Sequence, residues 1–237
     1  MRSLAVLAGG LGTRLRDVVS DVPKPMAPVA GRPFLAWLLD GWLDRCWGFD
    51  QVVLSVGYRA EIIRQFFGDQ YRGVRVRYVE EDRPLGTGGA LVSLCRGLDG
   101  EACVVNGDTW FMPDGDFSWP SSQSVPAVTM LLKPVDDVGR YSTVSLAEGC
   151  RISALKRGGT GQGLVNGGVC FFNSGAVNLA ASEDTTAGAF SLEDDLFQGW
   201  MAAGRCDFFG HANDAPFIDI GVPETYLRAE KFLRDQR

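Results

Sequence analysis

A short apolar run, Leu4 to Leu7, leads straight into a loop holding Gly9, Gly10 and Gly12. This junction constrains the chain more than any other feature. Glycine lets a backbone approach a ligand closely and adopt conformations that other residues avoid. Rows of exposed backbone N–H groups in such a loop bind anions. Arg14 and Lys24 follow, and a glycine loop with two cations forms a receptacle for a polyphosphate. A glycine cluster after a strand also serves as a plain tight turn, and Lys24 taken alone reads as a solvated lysine. The loop lacks the Gly-Lys-Ser/Thr of a P-loop and the G-x-G-x-x-G spacing of a dinucleotide site.

Beyond the loop, apolar β-type runs alternate with helical patterns. Strands are predicted at Leu4–Leu7, Gln51–Val56, Val74–Val79 and Cys103–Val105, and helices at Pro33–Trp47, Tyr58–Phe67 and Gly88–Leu98. In the first helix Leu35, Leu38, Leu39, Trp42, Leu43 and Cys46 share one face. A β-α-β-α-β-α-β order implies a mostly parallel sheet with helices on both faces. Ligands then bind outside the carboxyl ends of the strands, where both Gly9-Gly10 and Asn106-Gly107-Asp108 fall. The second half is less regular. Val125–Lys133, Ser142–Leu146, Arg151–Leu155 and Leu164–Phe172 read as strands, partly antiparallel; Ser118–Ser124 and Gly158–Gly163 as loops; Ser191–Met201 and Pro223–Arg234 as helices.

With 237 residues, 46% hydrophobic and 22% charged, the chain suits one large α/β domain. Its expected halves are 1–110, with the alternating pattern, and 111–237, with the less regular one. A net charge of −6 disfavours nucleic acid and anionic membrane as partners. Yet the first 25 residues carry Arg2, Arg14, Arg16 and Lys24 against Asp17 and Asp21. Local positive potential on an acidic body fits a small anionic substrate. The six cysteines are scattered without a C-x-x-C, arguing against a zinc or redox site, and fit a reduced cytoplasm. His211, the only histidine, is expected on the surface or in a loop, and histidine-based triads are disfavoured.

Asp108 ends Val104-Val-Asn-Gly-Asp, directly after a buried strand, and Asp219 lies in Phe217-Ile-Asp-Ile-Gly-Val-Pro-Glu. Each alone reads as a turn former. Together, beside a phosphate loop, they match the one or two carboxylates by which proteins hold Mg²⁺. The string Glu80-Glu-Asp-Arg-Pro-Leu-Gly-Thr-Gly-Gly-Ala reads by itself as a solvated acidic loop, and Asn166-Gly167-Gly168 as a turn or a hydroxyl-binding amide.

The compound string Leu7-Ala-Gly-Gly-Leu-Gly-Thr-Arg-Leu15 with Pro23-Lys-Pro-Met-Ala-Pro-Val29 resembles the opening of the sugar-phosphate nucleotidyltransferases. The match extends through Asp108 and the Asp219 block, where Val222 stands for the usual Thr. The resemblance implies a three-layer αβα, Rossmann-like fold with a mixed, mostly parallel sheet. It implies nucleotide contacts from Leu7, Ala8, Gly9, Gly10, Gly12, Thr13, Arg14, Glu81, Pro84, Gly86, Thr87 and Asp108. Sugar-phosphate contacts would come from Asn106, Gly107, Arg157, Asn166 and Gly167, and a Mg²⁺ site from Asp108 and Asp219. Arg14 and Lys24 would be the catalytic cations. One departure is clear: Lys156-Arg157 stands where the family usually has Glu-Lys, so the usual sugar-binding carboxylate is missing from that position.

In relatives the loop at 80–90 touches the base. Glu81 stands where thymidylyl and uridylyl relatives commonly carry Gln. A carboxylate has only acceptor oxygens; guanine offers two adjacent donors, whereas uracil and thymine flank one N–H with carbonyls. Glu81 therefore favours guanine. Among family branches, the blocks Val18-Val-Ser-Asp-Val-Pro-Lys-Pro-Met-Ala-Pro-Val29, Val52-Val-Leu-Ser-Val-Gly-Tyr58 and the Glu81–Ala90 loop resemble the short guanylyltransferases that activate D-glycero-α-D-manno-heptose 1-phosphate. Mannose 1-phosphate guanylyltransferases are near neighbours, and a uridylyl- or thymidylyltransferase is the other enzymatic reading. A non-catalytic nucleotide-binding regulator fits poorly with intact Arg14, Lys24, Asp108 and Asp219. The expected partners are GTP and a sugar 1-phosphate, with a homodimer as the assembly to test and cell-surface polysaccharide as the destination.

Overall fold

Strand β1 (Arg2–Leu7) is central because it is apolar on both faces: Leu4 and Val6 pack into one core, Ala5 into the other. Such near-continuous apolar runs mark strands covered on both sides. The computed structural model describes residues 1–10, 12–15, 18–45, 47–113 and 125–236, with no account of the Thr13 side chain. The readings that fall on Leu11, Arg16, Asp17, Cys46 and the loop 118–124 lie outside the described residues.

After β1 come the hairpin β2 (Pro28–Val29) and β3 (Arg32–Pro33), helix α1 (Phe34–Leu43), β4 (Gln51–Val56) and α2 (Ala60–Phe67). Then follow β5 (Gln70–Tyr71), β6 (Val74–Glu80), α3 (Gly86–Cys95), β7 (Glu101–Asn106) and β8 (Thr109–Phe111). The second half holds β9 (Ala127–Val135), β10 (Ser142–Leu146), β11 (Ile152–Arg157), β12 (Gly163–Phe172) and α4 (Ser174–Ala181). A π-helical segment (Leu192–Phe197), α5 (Gln198–Ala202), β13 (Asp207–Ala212), β14 (Phe217–Asp219) and α6 (Pro223–Arg234) complete the order.

The main sheet runs β11-β10-β12-β7-β1-β4-β6-β5, with β9 pairing both β12 and β13. Strands β7, β1, β4 and β6 are parallel, as the alternating pattern of the first half implies. Antiparallel β12 joins this block to the second half through β7. Helices α1, α2 and α6 cover one face; α3, α4 and the π-helical segment with α5 cover the other. The result is the expected three-layer α/β/α arrangement with a mixed sheet.

The structure corrects several boundaries and adds elements. Helix α1 ends at Leu43 rather than at Trp47, and α2 begins at Ala60 because Arg59 takes a left-handed conformation (φ 55°) that breaks the first turn. Helix α3 begins two residues earlier than expected, at Gly86. The segment predicted as one helix from Ser191 opens as a π-helix. Strand β13, parallel to β9, was not expected; it places His211 opposite Leu131 in a sheet rather than in a loop. Helix α4 was also missed. Its cap is Asn173, whose side chain accepts from Ala176 N–H at 2.8 Å and from Ala127 N–H at 3.0 Å. Cys95, Cys103, Cys170 and Cys206 are buried free thiols acting as small apolar groups.

Candidate active site

The carboxyl ends of β1, β4, β6 and β7 open onto a cavity of about 600 Å³. Its wall takes Leu7, Gly9, Gly10 and Gly12 from the loop after β1, and Glu81, Pro84, Gly86 and Thr87 from the loop before α3. Asn106 and Asp108 close it after β7. These segments are far apart in sequence, and the parallel register brings them to one edge: Leu7 lies level with Ser55 and with Asn106. Gly86 is fixed by its backbone (φ +72°) and by space, since a Cβ there would stand 2.4 Å from the Phe190 carbonyl.

Glu81 is held at the cavity wall. One carboxylate oxygen accepts from the Ser55 hydroxyl and the other from the Leu85 N–H, both at 3.1 Å. A carboxylate has about four lone-pair sites, so each oxygen keeps capacity toward a ligand.

Lys24 sits in a one-turn 3₁₀ segment after Pro23. Its side chain is 11% exposed, packs its stem over Gly12 and pairs with Asp108. Asp108 and Asp219 are brought together by pairing of β8 with β14 and by the Ile220 N–H donating to the Asp108 carbonyl at 2.9 Å. Asp219 accepts from Gly221 N–H at 2.6 Å, from Arg140 at 3.1 Å and from the Tyr141 hydroxyl at 3.4 Å. Burial and the Asp219 charge raise the Tyr141 hydroxyl above its ordinary range, which keeps it a proton donor. The two aspartates thus fit a divalent cation in kind and placement: two oxygen donors at adjoining strand ends, partly open. In this state each carboxylate is neutralised by one cationic side chain.

A second cavity of about 360 Å³ adjoins the first and shares Leu7, Thr87 and Asn106 with it. Arg14 and Arg157 line this second cavity, as does Asn166. The Asn166–Val169 stretch is a β-bulge in β12, where the register against β9 shifts. Bulges re-aim side chains, and this one points Asn166 inward. Gly168 takes φ +74°, and a Cβ on it would lie 2.6 Å from the Asn106 amide.

Some predicted residues stand behind the walls. Ala8 and Gly107 are buried at the strand ends, where Gly107 N–H donates to the Leu7 carbonyl at 3.0 Å. Gly167 is buried, and a Cβ there would stand 2.1 Å from the Phe111 ring, so its role is close packing rather than open contact. Thr13 lies in the one-turn segment Thr13–Leu15.

The chain matches the model of the nucleotidyl transferase family over residues 4–236. It belongs to that family. It is 38% identical over 231 residues to the D-glycero-α-D-manno-heptose 1-phosphate guanylyltransferase of Aneurinibacillus thermoaerophilus, covering 97% of both chains. Identity to the enzyme of the same name from Campylobacter jejuni is also 38%, over 93% of this chain and 95% of that one. The structure of HddC from Yersinia pseudotuberculosis complexed with GMP-PN superposes with a TM-score of 0.77 at 30% identity, covering 98% of this chain and 99% of that one.

Sequence reasoning missed several lining residues in this nucleotidyl transferase, four of them with side chains suited to ligand contact. Tyr58 lines the first cavity; Arg140, Ser142 and Glu193 line the second. The signal for Arg140 and Ser142 was weak, since Gly139-Arg-Tyr-Ser142 reads as an ordinary turn into a strand. Glu193 lay in a helical pattern with acidic neighbours, where a solvated face was the natural reading.

Proposed function

We propose that the chain transfers GMP from GTP to D-glycero-α-D-manno-heptose 1-phosphate, giving GDP-heptose and pyrophosphate. The observation that carries this reading is the pair of adjoining cavities. One is rimmed by the glycine loop, Glu81 and Asp108, which pairs with Lys24, and the other by Asn166 and arginines. Full-length similarity to two heptose 1-phosphate guanylyltransferases supports the choice of substrates.

The first cavity would take GTP. The glycine-loop amides would hold its β- and γ-phosphates, with Arg14 facing them from the adjoining cavity, and Glu81 would accept from the two donors of guanine. The second cavity would take the sugar 1-phosphate, with Arg157 near its phosphate. An oxygen of that phosphate attacks the α-phosphorus of GTP; that bond forms as the bond to the β-phosphate oxygen breaks, and pyrophosphate leaves. No enzyme nucleophile is required, since catalysis here is positioning and charge stabilisation. Lys24 would leave Asp108 to neutralise the α-phosphate. Asp108 and Asp219 would hold Mg²⁺, which when bound polarises the α-phosphate.

Pyrophosphate release with four nucleoside triphosphates against a panel of sugar 1-phosphates tests this directly. Turnover should be fastest with GTP and the heptose 1-phosphate. Preference for mannose 1-phosphate would reassign the sugar. Preference for UTP or dTTP would refute the guanine reading, and absence of turnover with every pair would favour a regulator.

A further inference from the structure

We propose, building on that reading, that Glu193 is the sugar-specificity residue, accepting from a pair of neighbouring hydroxyls. Asn166 and Ser142 hold its carboxylate toward the cavity.

The position of Asn166 decides the first half of the argument. Its oxygen accepts from Gly168 N–H at 3.0 Å, which turns the acceptor end back onto its own strand. The Asn166 Nδ2 then donates to Glu193 Oε1, and the Ser142 hydroxyl donates to Glu193 Oε2. Asn166 is thereby largely committed to its own strand and to Glu193. The acceptor capacity facing the cavity passes to Glu193, whose two oxygens each hold one neutral donor and keep a second lone-pair site. Among the described residues no cation pairs with Glu193; the ion pairs at this rim are Arg157–Asp194 at 3.5 Å and Arg140–Asp219 at 3.1 Å. A half-buried carboxylate between neutral donors suits further neutral donors, and two adjacent sugar hydroxyls supply them through charge-assisted bonds.

The backbone around Glu193 is fixed. Leu192 N–H donates to the Thr87 hydroxyl at 2.9 Å, Asp194 N–H to the Ser191 hydroxyl at 2.9 Å, and Ser191 N–H to Asp195 at 2.6 Å. Such pinning holds a contact residue in a productive geometry. Strand β11 offers only Lys156 and Arg157 at the corresponding edge, both exposed. The carboxylate absent from β11 is thus supplied from the neighbouring π-helical segment.

The test compares native chain, Glu193→Gln and Glu193→Asp, using GTP with mannose 1-phosphate, the heptose 1-phosphate and mannose 1-phosphates lacking one hydroxyl each. Glu193→Gln should raise KM for the sugar 1-phosphate by roughly tenfold to a hundredfold, leave KM for GTP within about twofold, and keep the native melting temperature. In the native chain, loss of either of two neighbouring hydroxyls should carry a similar penalty, and in Glu193→Gln that penalty should vanish. A loss spread equally over all analogues, or shared with GTP, would show that Glu193 only braces Asn166 and overturns the proposal. Calorimetric binding of GDP-mannose against GDP reads the sugar contribution without turnover, and Glu193→Asp serves if the amide variant does not fold. A native chain that binds neither GDP-mannose nor the GDP-heptose better than GDP would overturn both this inference and the proposed function; a native chain that discriminates beside an unaltered Glu193→Gln overturns the inference alone.

Discussion

The first cavity is walled by Leu7, Gly9, Gly10 and Gly12, by Gly57 and Tyr58, by residues of the segment from Glu81 to Ala90, and by Asn106 and Asp108, whereas the second draws on Arg14, Thr87, Arg140, Tyr141, Ser142, Arg157, Asn166, Gly168, Cys170 and the segment from Ser191 to Asp194. The first lies at the carboxyl ends of four parallel strands, so its wall comes from the loops that leave them, with Glu81 and Asp108 anchored there. The second lies where β12 changes partners and a bulge interrupts it. Its wall is made of side chains that meet across elements. Loop-built sites leave compact motifs in sequence. A site built from side chains on separate elements leaves single residues whose neighbours in space are far away along the chain.

Four experiments would break or sharpen that contrast. The largest effect is expected at the Lys24–Asp108 pair. Lys24→Ala should lower kcat by roughly a hundredfold to a thousandfold, the scale of losing one electrostatic group aimed at transition-state charge, with a smaller change in KM for GTP. Folded Asp108→Asn should fall comparably, and EDTA should abolish native activity until Mg²⁺ is returned. A change confined to KM would reduce Lys24 to ground-state binding, and near-native Asp108→Asn would remove the metal assignment.

The next effect tests whether the first cavity reads its base through Glu81. Glu81→Gln should cost on the order of 2–3 kcal/mol, about a hundredfold in kcat/KM for GTP. It should also narrow the gap to UTP, and ITP, lacking one donor, should be a poor substrate of the native chain. Because Glu81 also anchors Ser55 and Leu85, Ser55→Ala is the control. Equal losses in both variants, with ITP used as well as GTP, would make Glu81 a loop anchor.

Gly167→Ala addresses the packing behind the second cavity. The added methyl meets the Phe111 ring, and overpacking of this kind costs about 1–3 kcal/mol. Thermal or urea unfolding should show that loss; unchanged stability would mean that the bulge relaxes freely.

The smallest effect is a pH dependence at His211, which lines neither cavity. Burial lowers its pKa below the ordinary 6.5. The unfolded chain therefore binds the proton more readily, and stability should fall as pH drops through and below about 6.5. As the sole histidine, it should account for the slope between pH 7 and about 5.5. His211→Gln should flatten that slope in urea titrations, and a slope unchanged in the variant would assign it elsewhere.

Sequence alone determined the parallel block and the glycine loop. It also determined the placement of Gly9, Gly10, Glu81, Thr87 and Asp108 around one opening. Buried strands written as apolar runs, separated by helical periodicity, leave little choice of topology, and the loops at their carboxyl ends must then converge. Tertiary structure decided the rest. The parallel strand β13 and the short β8–β14 pair carry no distinctive local pattern, yet the latter is what brings Asp219 beside Asp108. Asn166 was legible as a candidate, but its commitment to Gly168 and Glu193 was not. Hydrogen-bond partners separated by 27 residues or more, such as Asn166 with Glu193 and Ser142 with Glu193, are chosen by the packing of whole elements. Local sequence sets which groups a segment offers; the fold's long-range register sets which of them meet.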